Sequence, residues 1–230
     1  AENSDIFLDF KNISKLPDFK YFKSHVIDEA NDYKDDIEIS DKKKRPGNEA
    51  FFYLGLMNQF GISYEPNLDK AVEYYEKSAK LNNMNAAFNL GLIYSTGKGK
   101  YNQQEEAFKY FMMASNLGSY SAKYNIGNIF RDQGNFEEAI KYYLEAGNDG
   151  YIDKAYYNLA IIYQNPDPNI NDQDKSLEYF QKSADLGFVK AHYNSGVILY
   201  QRNLFEEAEK HLVIAGENGI SDAYYVLSLI

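Results

Sequence analysis

The chain is 230 residues long, carries a formal charge of −10, contains no cysteine and is 44% hydrophobic. Such acidity weighs against nucleic acid as a partner, because binding phosphates requires a basic face that displaces counterions. Without cysteine there is no disulfide framework, no thiolate nucleophile and no zinc site of the Cys type, and no apolar run approaches the roughly 20 residues that membrane insertion requires.

Residues 1–16 hold a short apolar cluster, Ile6-Phe7-Leu8-Asp9-Phe10, behind Ser4 as a helix cap. From Pro17 the apolar positions Phe19, Phe22, Val26, Ala30, Tyr33 and Ile37 recur every three or four residues, which predicts one amphipathic helix with proline in its first turn. Ser40 to Gly47 reads as a charged connector whose Lys42-Lys43-Lys44-Arg45 run is a solvated loop. Asn12-Ile13-Ser14 fits a glycosylation triplet, a pattern that arises by chance in an Asn-rich chain.

From residue 48 onward the sequence repeats itself. Ala50, Ala86, Ala122, Ala155, Ala191 and Ala223 each open a helix, and four residues on stand Leu54, Leu90, Ile126, Leu159, Ser195 and Leu227. A small residue follows each: Gly55, Gly91, Gly127, Ala160, Gly196 and Ser228. These positions are expected to let a second helix approach the backbone closely, with Tyr94, Phe130, Tyr163 and Leu199 as filling side chains three residues further on and Asn58 the misfit of that set. The second helix recurs as Ala71 to Tyr75, Ala107 to Phe111, Ala139 to Tyr143, Ser176 to Phe180 and Ala208 to Leu212. Asn82, Gly118, Gly150, Gly187 and Gly219 suit the left-handed turn that stops it. Small at the start, aromatic in the middle and glycine at the end describes a repeated helix–turn–helix.

This pattern resembles the Sel1-like repeat, a relative of the tetratricopeptide repeat. The resemblance covers residues 48–230, five full repeats and the first helix of a sixth, with residues 1–47 as an N-terminal helical cap and connector. The opening alanines lie 36, 36, 33, 36 and 32 residues apart. The longer spacings carry the extended connection of Sel1-like repeats, whereas Asp132 to Glu138 and Arg202 to Glu207 are the shorter turns of the tetratricopeptide repeat. The implied fold is all-α: a right-handed α-solenoid, a superhelix of antiparallel helix pairs. Ala1 in place of Met, and an end at Ile230 inside a first helix, suggest a segment of a longer parent.

Residues able to do chemistry do not converge. His25, His192 and His211 are the three histidines, the last two read as packing residues of the fifth repeat. Glu105-Glu106, Glu137-Glu138 and Glu206-Glu207 resemble acid/base pairs, yet each precedes the alanine of a second helix, where negative charge complements the helix dipole. Asp167 to Glu178 places oxygen-bearing residues at calcium-loop spacing, but Asp172 stands where such a loop needs glycine, so an Asn/Asp-rich turn is expected there. No metal, cofactor or catalytic residue is expected.

What remains is surface. The resemblance implies that the first-helix positions Phe88 and Asn89, Tyr124 and Asn125, Tyr157 and Asn158, and Tyr193 and Asn194 line a concave face, with Lys154 and Lys190 one turn away. Two roles for the asparagines stay open: hydrogen-bonding an extended partner, or bracing one repeat against the next. The function the resemblance implies is a non-enzymatic scaffold or adaptor for a protein or peptide partner, in a larger multi-subunit complex such as a ubiquitin ligase, or as the regulatory or substrate-recruiting arm of an enzyme.

Overall fold

Alternation of small and large apolar residues at helical spacing produces helices throughout the part of the chain that a computed structural model describes, residues 48–62, 65–97, 99–150 and 152–230 together with residue 27. The expected cap, connector, glycosylation triplet and His25 lie outside those residues. Helices α1 (Asn48–Phe60) and α2 (Leu68–Lys80) form the first pair, and α3 (Met84–Thr96) and α4 (Gln104–Asn116) the second. Three further pairs follow: α5 (Tyr120–Asp132) with α6 (Phe136–Gly150), α7 (Asp153–Tyr163) with α8 (Gln173–Asp185), and α9 (Val189–Gln201) with α10 (Phe205–Glu217). α11 (Ser221–Leu227) comes last. No strand occurs among the described residues.

The chain divides into two compact units, one ending at Ser119 and one running Tyr120–Ile230. Within each, every helix packs on its neighbour in sequence, and the packing inside a repeat is more extensive than that between repeats. Short connections impose antiparallel pairs, and each unit stacks such pairs in the all-α solenoid manner the repeats predicted.

The first, second and fourth pairs share one device in their long connections. The backbone N–H of Asn67, Gln103 and Asp172, each the residue before a second helix, donates to the carbonyl of Asn58, Tyr94 and Tyr163 at 2.7, 3.0 and 2.9 Å. Asn58 is therefore no misfit: its carbonyl serves like the other two, and its buried amide donates to Leu54 O at 2.8 Å. In the third and fifth pairs the chain turns at once through Gly134 and Asn203, with φ of 74° and 62°, and Asn135 N and Leu204 N close back on Phe130 O and Leu199 O. That bond, spanning five residues around a left-handed position, is the Schellman stop of a helix.

The same stop ends four of the second helices, at Asn82, Gly118, Gly187 and Gly219, all with positive φ. Gly150 departs from the expectation. It is the last residue of the longer helix α6, without a left-handed φ, and Ile152 N closes on Ala146 O instead. Its small size is required for a different reason: a Cβ there would collide with Cβ of Tyr120.

The small residue of each first helix also works differently from the expectation. What lies against it is chiefly the fifth side chain of the second-helix motif, not a helix backbone. Phe111 covers Gly91, Tyr143 covers Gly127 and Leu212 covers Gly196, and an added Cβ would meet those side chains at 2.5, 2.7 and 2.6 Å. The expected fillers Tyr94, Phe130 and Tyr163 stack instead on Tyr110, Tyr142 and Tyr179, with ring centroids 5.6, 5.6 and 5.7 Å apart.

Tyr143 is fully buried and its hydroxyl donates to Asn128 Oδ1 at 2.7 Å, so the ring cannot swing aside. Gly127→Val is expected to lower stability by about 1–3 kcal/mol through overpacking, despite its gain in helix propensity. Thermal melts decide the point: a variant melting at or above the native temperature would show that the ring yields.

Candidate partner-binding face

The aromatic residue two places after each opening alanine leans on the buried side chain of its own repeat. Phe88 packs on Phe111 at 5.8 Å, Tyr124 on Tyr143 at 5.9 Å, and Tyr157 edge-on against Phe180 at 5.4 Å. Phe88 is buried; Tyr124, Tyr157 and Tyr193 are half-buried. Helical geometry puts the next residue, asparagine, beside it and toward the preceding repeat.

There the asparagines make specific bonds. Asn158 Nδ2 donates to Asn128 Oδ1 at 3.0 Å and to Tyr143 Oη at 3.2 Å, with Tyr124 Oη at 3.5 Å. Asn194 Nδ2 donates to Tyr157 Oη at 3.2 Å. In the other unit, burial raises the Tyr75 phenol well above its ordinary range and the side chain of Asn89 opposes that shift in part. Asn125 turns back on its own helix, donating to Ser121 O at 2.8 Å. Burial raises the Tyr143 phenol well above its ordinary range, while nearby Arg131 and the hydrogen bond from Asn158 oppose the shift in part. The phenol therefore stays neutral and available as both donor and acceptor.

The amides of Asn125, Asn158 and Asn194 thus face the protein itself, and their Oδ1 atoms accept no hydrogen bond among the described residues. Lys154 and Lys190 are exposed, and neither ammonium pairs with a carboxylate among the described residues. Asn128, which gathers bonds from both Tyr143 and Asn158, was not legible as a site residue. Its signal was present three residues after Asn125, one turn along the same helix.

The other sequence candidates resolve locally. Glu105, Glu106, Glu137, Glu138, Glu206 and Glu207 occupy first turns of second helices. In the acidic loop, Asp167 Oδ1 accepts from Asn169 N and Nδ2, Asp172 caps α8 by accepting from Lys175 N, and Glu178 bonds Lys182. Those oxygens are turned to their own backbone and to lysines rather than to a common centre. Among the described residues no group of three or more His, Asp or Glu is placed to hold a metal ion. An open hollow of about 660 Å³ lies where the α5–α6 turn meets the α7–α8 connection, lined by Asn135, Phe136, Tyr163, Ile170 and Lys175. None of Tyr124, Asn125, Tyr157, Asn158, Tyr193 and Asn194 lines it. No helix among the described residues is long and apolar enough to cross a membrane.

The Sel1 repeat family matches residues 49–83, 85–119 and 153–188, and the tetratricopeptide repeat matches residues 120–146. This chain is a Sel1-like repeat protein of the tetratricopeptide-like class. The three Sel1 matches are the three pairs with the long hydrogen-bonded connection, and the tetratricopeptide match is a pair with the short turn. The solved structure of c5321, a protective antigen present in uropathogenic Escherichia coli strains and displaying an SLR fold, is similar with a TM-score of 0.68 and 21% identity. The match covers 76% of this chain and 39% of c5321. A Sel1 repeat protein from Oxalobacter formigenes matches with a TM-score of 0.65 and 25% identity over 76% of this chain and 75% of its own. PilF of Pseudomonas aeruginosa matches at 0.56 with 19% identity, over 75% and 76%. No curated protein sequence matches the chain. Sel1-like arrays are typical protein–protein interaction scaffolds, generally without catalysis.

Removing the Asn158 side chain would strip a donor from the Tyr143–Asn128 cluster, so Asn158→Ala is expected to cost about 1–3 kcal/mol of stability. Asn125→Ala, which loses only a bond within its own helix, should cost distinctly less. Urea titration of the two variants measures the difference; equal losses would mean that the Asn158 bonds do not brace the repeats.

Proposed function

We propose that the first-helix face of the unit 120–230 holds an extended segment of a partner protein, which this array recruits without catalysing a reaction. The observation that carries the proposal is the division within each asparagine. With Nδ2 committed inward, Oδ1 of Asn125, Asn158 and Asn194 remains as an acceptor at one register of successive repeats. Backbone N–H groups of an extended chain are the complementary donors, and every sequence carries them.

First helices of adjacent repeats stand on the order of 10 Å apart by ordinary helix packing, and an extended peptide advances about 3.3 Å per residue. One acceptor per repeat therefore meets about every third residue of the ligand. Tyr124, Tyr157 and Tyr193 supply apolar area beside the acceptors. Lys154 and Lys190 add positive charge on an otherwise acidic protein, favouring a segment with acidic side chains. Phe88 and Asn89 hold the corresponding positions in the unit ending at Ser119.

A displayed library of random peptides selected on the purified 230-residue protein should yield extended, acidic binders. Asn125→Ala combined with Lys154→Ala and Lys190→Ala, none of which touches the Tyr143 cluster, is expected to weaken them by about 1–3 kcal/mol, the scale of a few lost polar contacts, with little change in melting temperature. Peptides that bind the triple variant as tightly as the native protein would place recognition on another surface.

A further inference from the structure

His192 and His211 occupy a slot that other repeats fill with a pair of aromatic rings. The residue after the opening alanine of the first helix meets the fourth residue of the second-helix motif: Phe51 stacks on Tyr74 with centroids 6.4 Å apart, and Tyr156 on Tyr179 at 6.0 Å. In the fifth repeat the same two positions are His192 on α9 and His211 on α10, with centroids 5.1 Å apart and Nδ1 facing Nδ1 at 2.9 Å. A stack that ignores pH has been replaced by a hydrogen bond that depends on it.

That bond requires one Nδ1 to carry a proton and the other to offer a lone pair. The Ala184 carbonyl favours a proton on the His192 ring. Either ring can supply the Nδ1–H, the other then offering its Nδ1 lone pair. Both rings are half-buried. Burial holds both below the ordinary histidine value; Asp185, at the end of α8, partly opposes this for both rings, as does Glu207, one turn before His211, for His211 alone. These are the charged groups that act on the pair; α11 adds none among the described residues.

We propose that His192 and His211 form a proton-operated latch between α9 and α10, closed while the pair shares its protons and opened when each imidazole carries its own. A first added proton can be accommodated on Nε2 of the donor ring, leaving the Nδ1–H···Nδ1 bond intact. A second must go to Nδ1 of the acceptor ring, and two N–H groups then point at each other across a distance that fits only one. The rings must separate. α10 contributes Ala208, Leu212 and Ala215 to the cluster it forms with Leu199 and Ala223, so separation loosens that cluster and the seat of α11.

The direction follows from proton counting. In the open state each imidazole titrates near its ordinary value of about 6.5, whereas the closed pair holds fewer protons below that pH. Closure is therefore complete above about pH 6.5 and is lost as pH falls beneath it, the open population rising by up to about tenfold per pH unit where the open state holds one more proton.

The test compares the native 230-residue protein with the double variant His192→Tyr and His211→Tyr, which installs the ring pair of the fourth repeat, and with His211→Tyr alone, which restores the tyrosine of Tyr110 and Tyr142. Hydrogen exchange of the α9 and α10 amides, corrected for intrinsic rate, is measured between pH 7.5 and 5.0 alongside imidazole titration by NMR. The expected result is opening of α9 and α10 that grows steeply below pH 6.5 in the native protein, with α7 and α8 unchanged, two coupled titration steps, and a response absent from both variants. Independent titration of both imidazoles near 6.5, or the same pH response in the variants, would overturn the latch.

Discussion

A side chain seated on a helix backbone is the contact from which the rest of the array follows. Gly91, Gly127 and Gly196 present bare backbone, and Phe111, Tyr143 and Leu212 cover it. Because such a ring is wholly buried, its identity dictates what must surround it. Phe111 and Phe180 ask for nothing further, but a buried tyrosine hydroxyl needs partners. Tyr75 finds Gln59 Oε1 at 2.6 Å and Tyr143 finds Asn128 Oδ1 at 2.7 Å. One choice of residue in a second helix thus fixes a polar residue in the first helix it covers.

The requirement then crosses to the next repeat. Oη of Tyr143 can both donate and accept, and its second valence is met by Asn158, a residue of the following first helix. One repeat on, where the buried ring is Phe180, Asn194 donates instead to the half-buried Tyr157 of the preceding first helix. For Asn158 the bonds are in this sense a by-product of burying tyrosine. Bracing and recognition do not compete, because an amide has two ends: the nitrogen satisfies the core, and the oxygen is left over.

Much of this was legible in the sequence because repetition compensates for the weakness of any single signal. Helix existence, pairing and the left-handed stops at Asn82, Gly118, Gly187 and Gly219 followed from spacing alone. Gly150 misled because glycine serves two purposes, permitting a positive φ and admitting a neighbouring side chain, and only coordinates distinguish them. The partner of each first-helix glycine was missed for a related reason. Sequence spacing shows which residues share a face of one helix, but not which side chain of another helix arrives there. Asn58 looked anomalous while side chains alone were compared; the conserved element at its position is a carbonyl, which every residue supplies.

The fifth pair departs from the pattern at each level of this hierarchy. Leu212 replaces the ring on the glycine, two histidines replace the aromatic stack, and Ser195 stands where other repeats place leucine or isoleucine. Ser195 is wholly buried, and its hydroxyl has no hydrogen-bond partner among the described residues. Each substitution exchanges apolar packing for a group whose contribution is smaller or conditional. In an array whose stability is a sum of repeat and nearest-neighbour terms, opening begins where those terms are smallest. The fifth pair would be a poor place to lose packing if it served only as structure. It is the suitable place for a joint that must yield, and the residues that make it weak include the two whose bond depends on the proton.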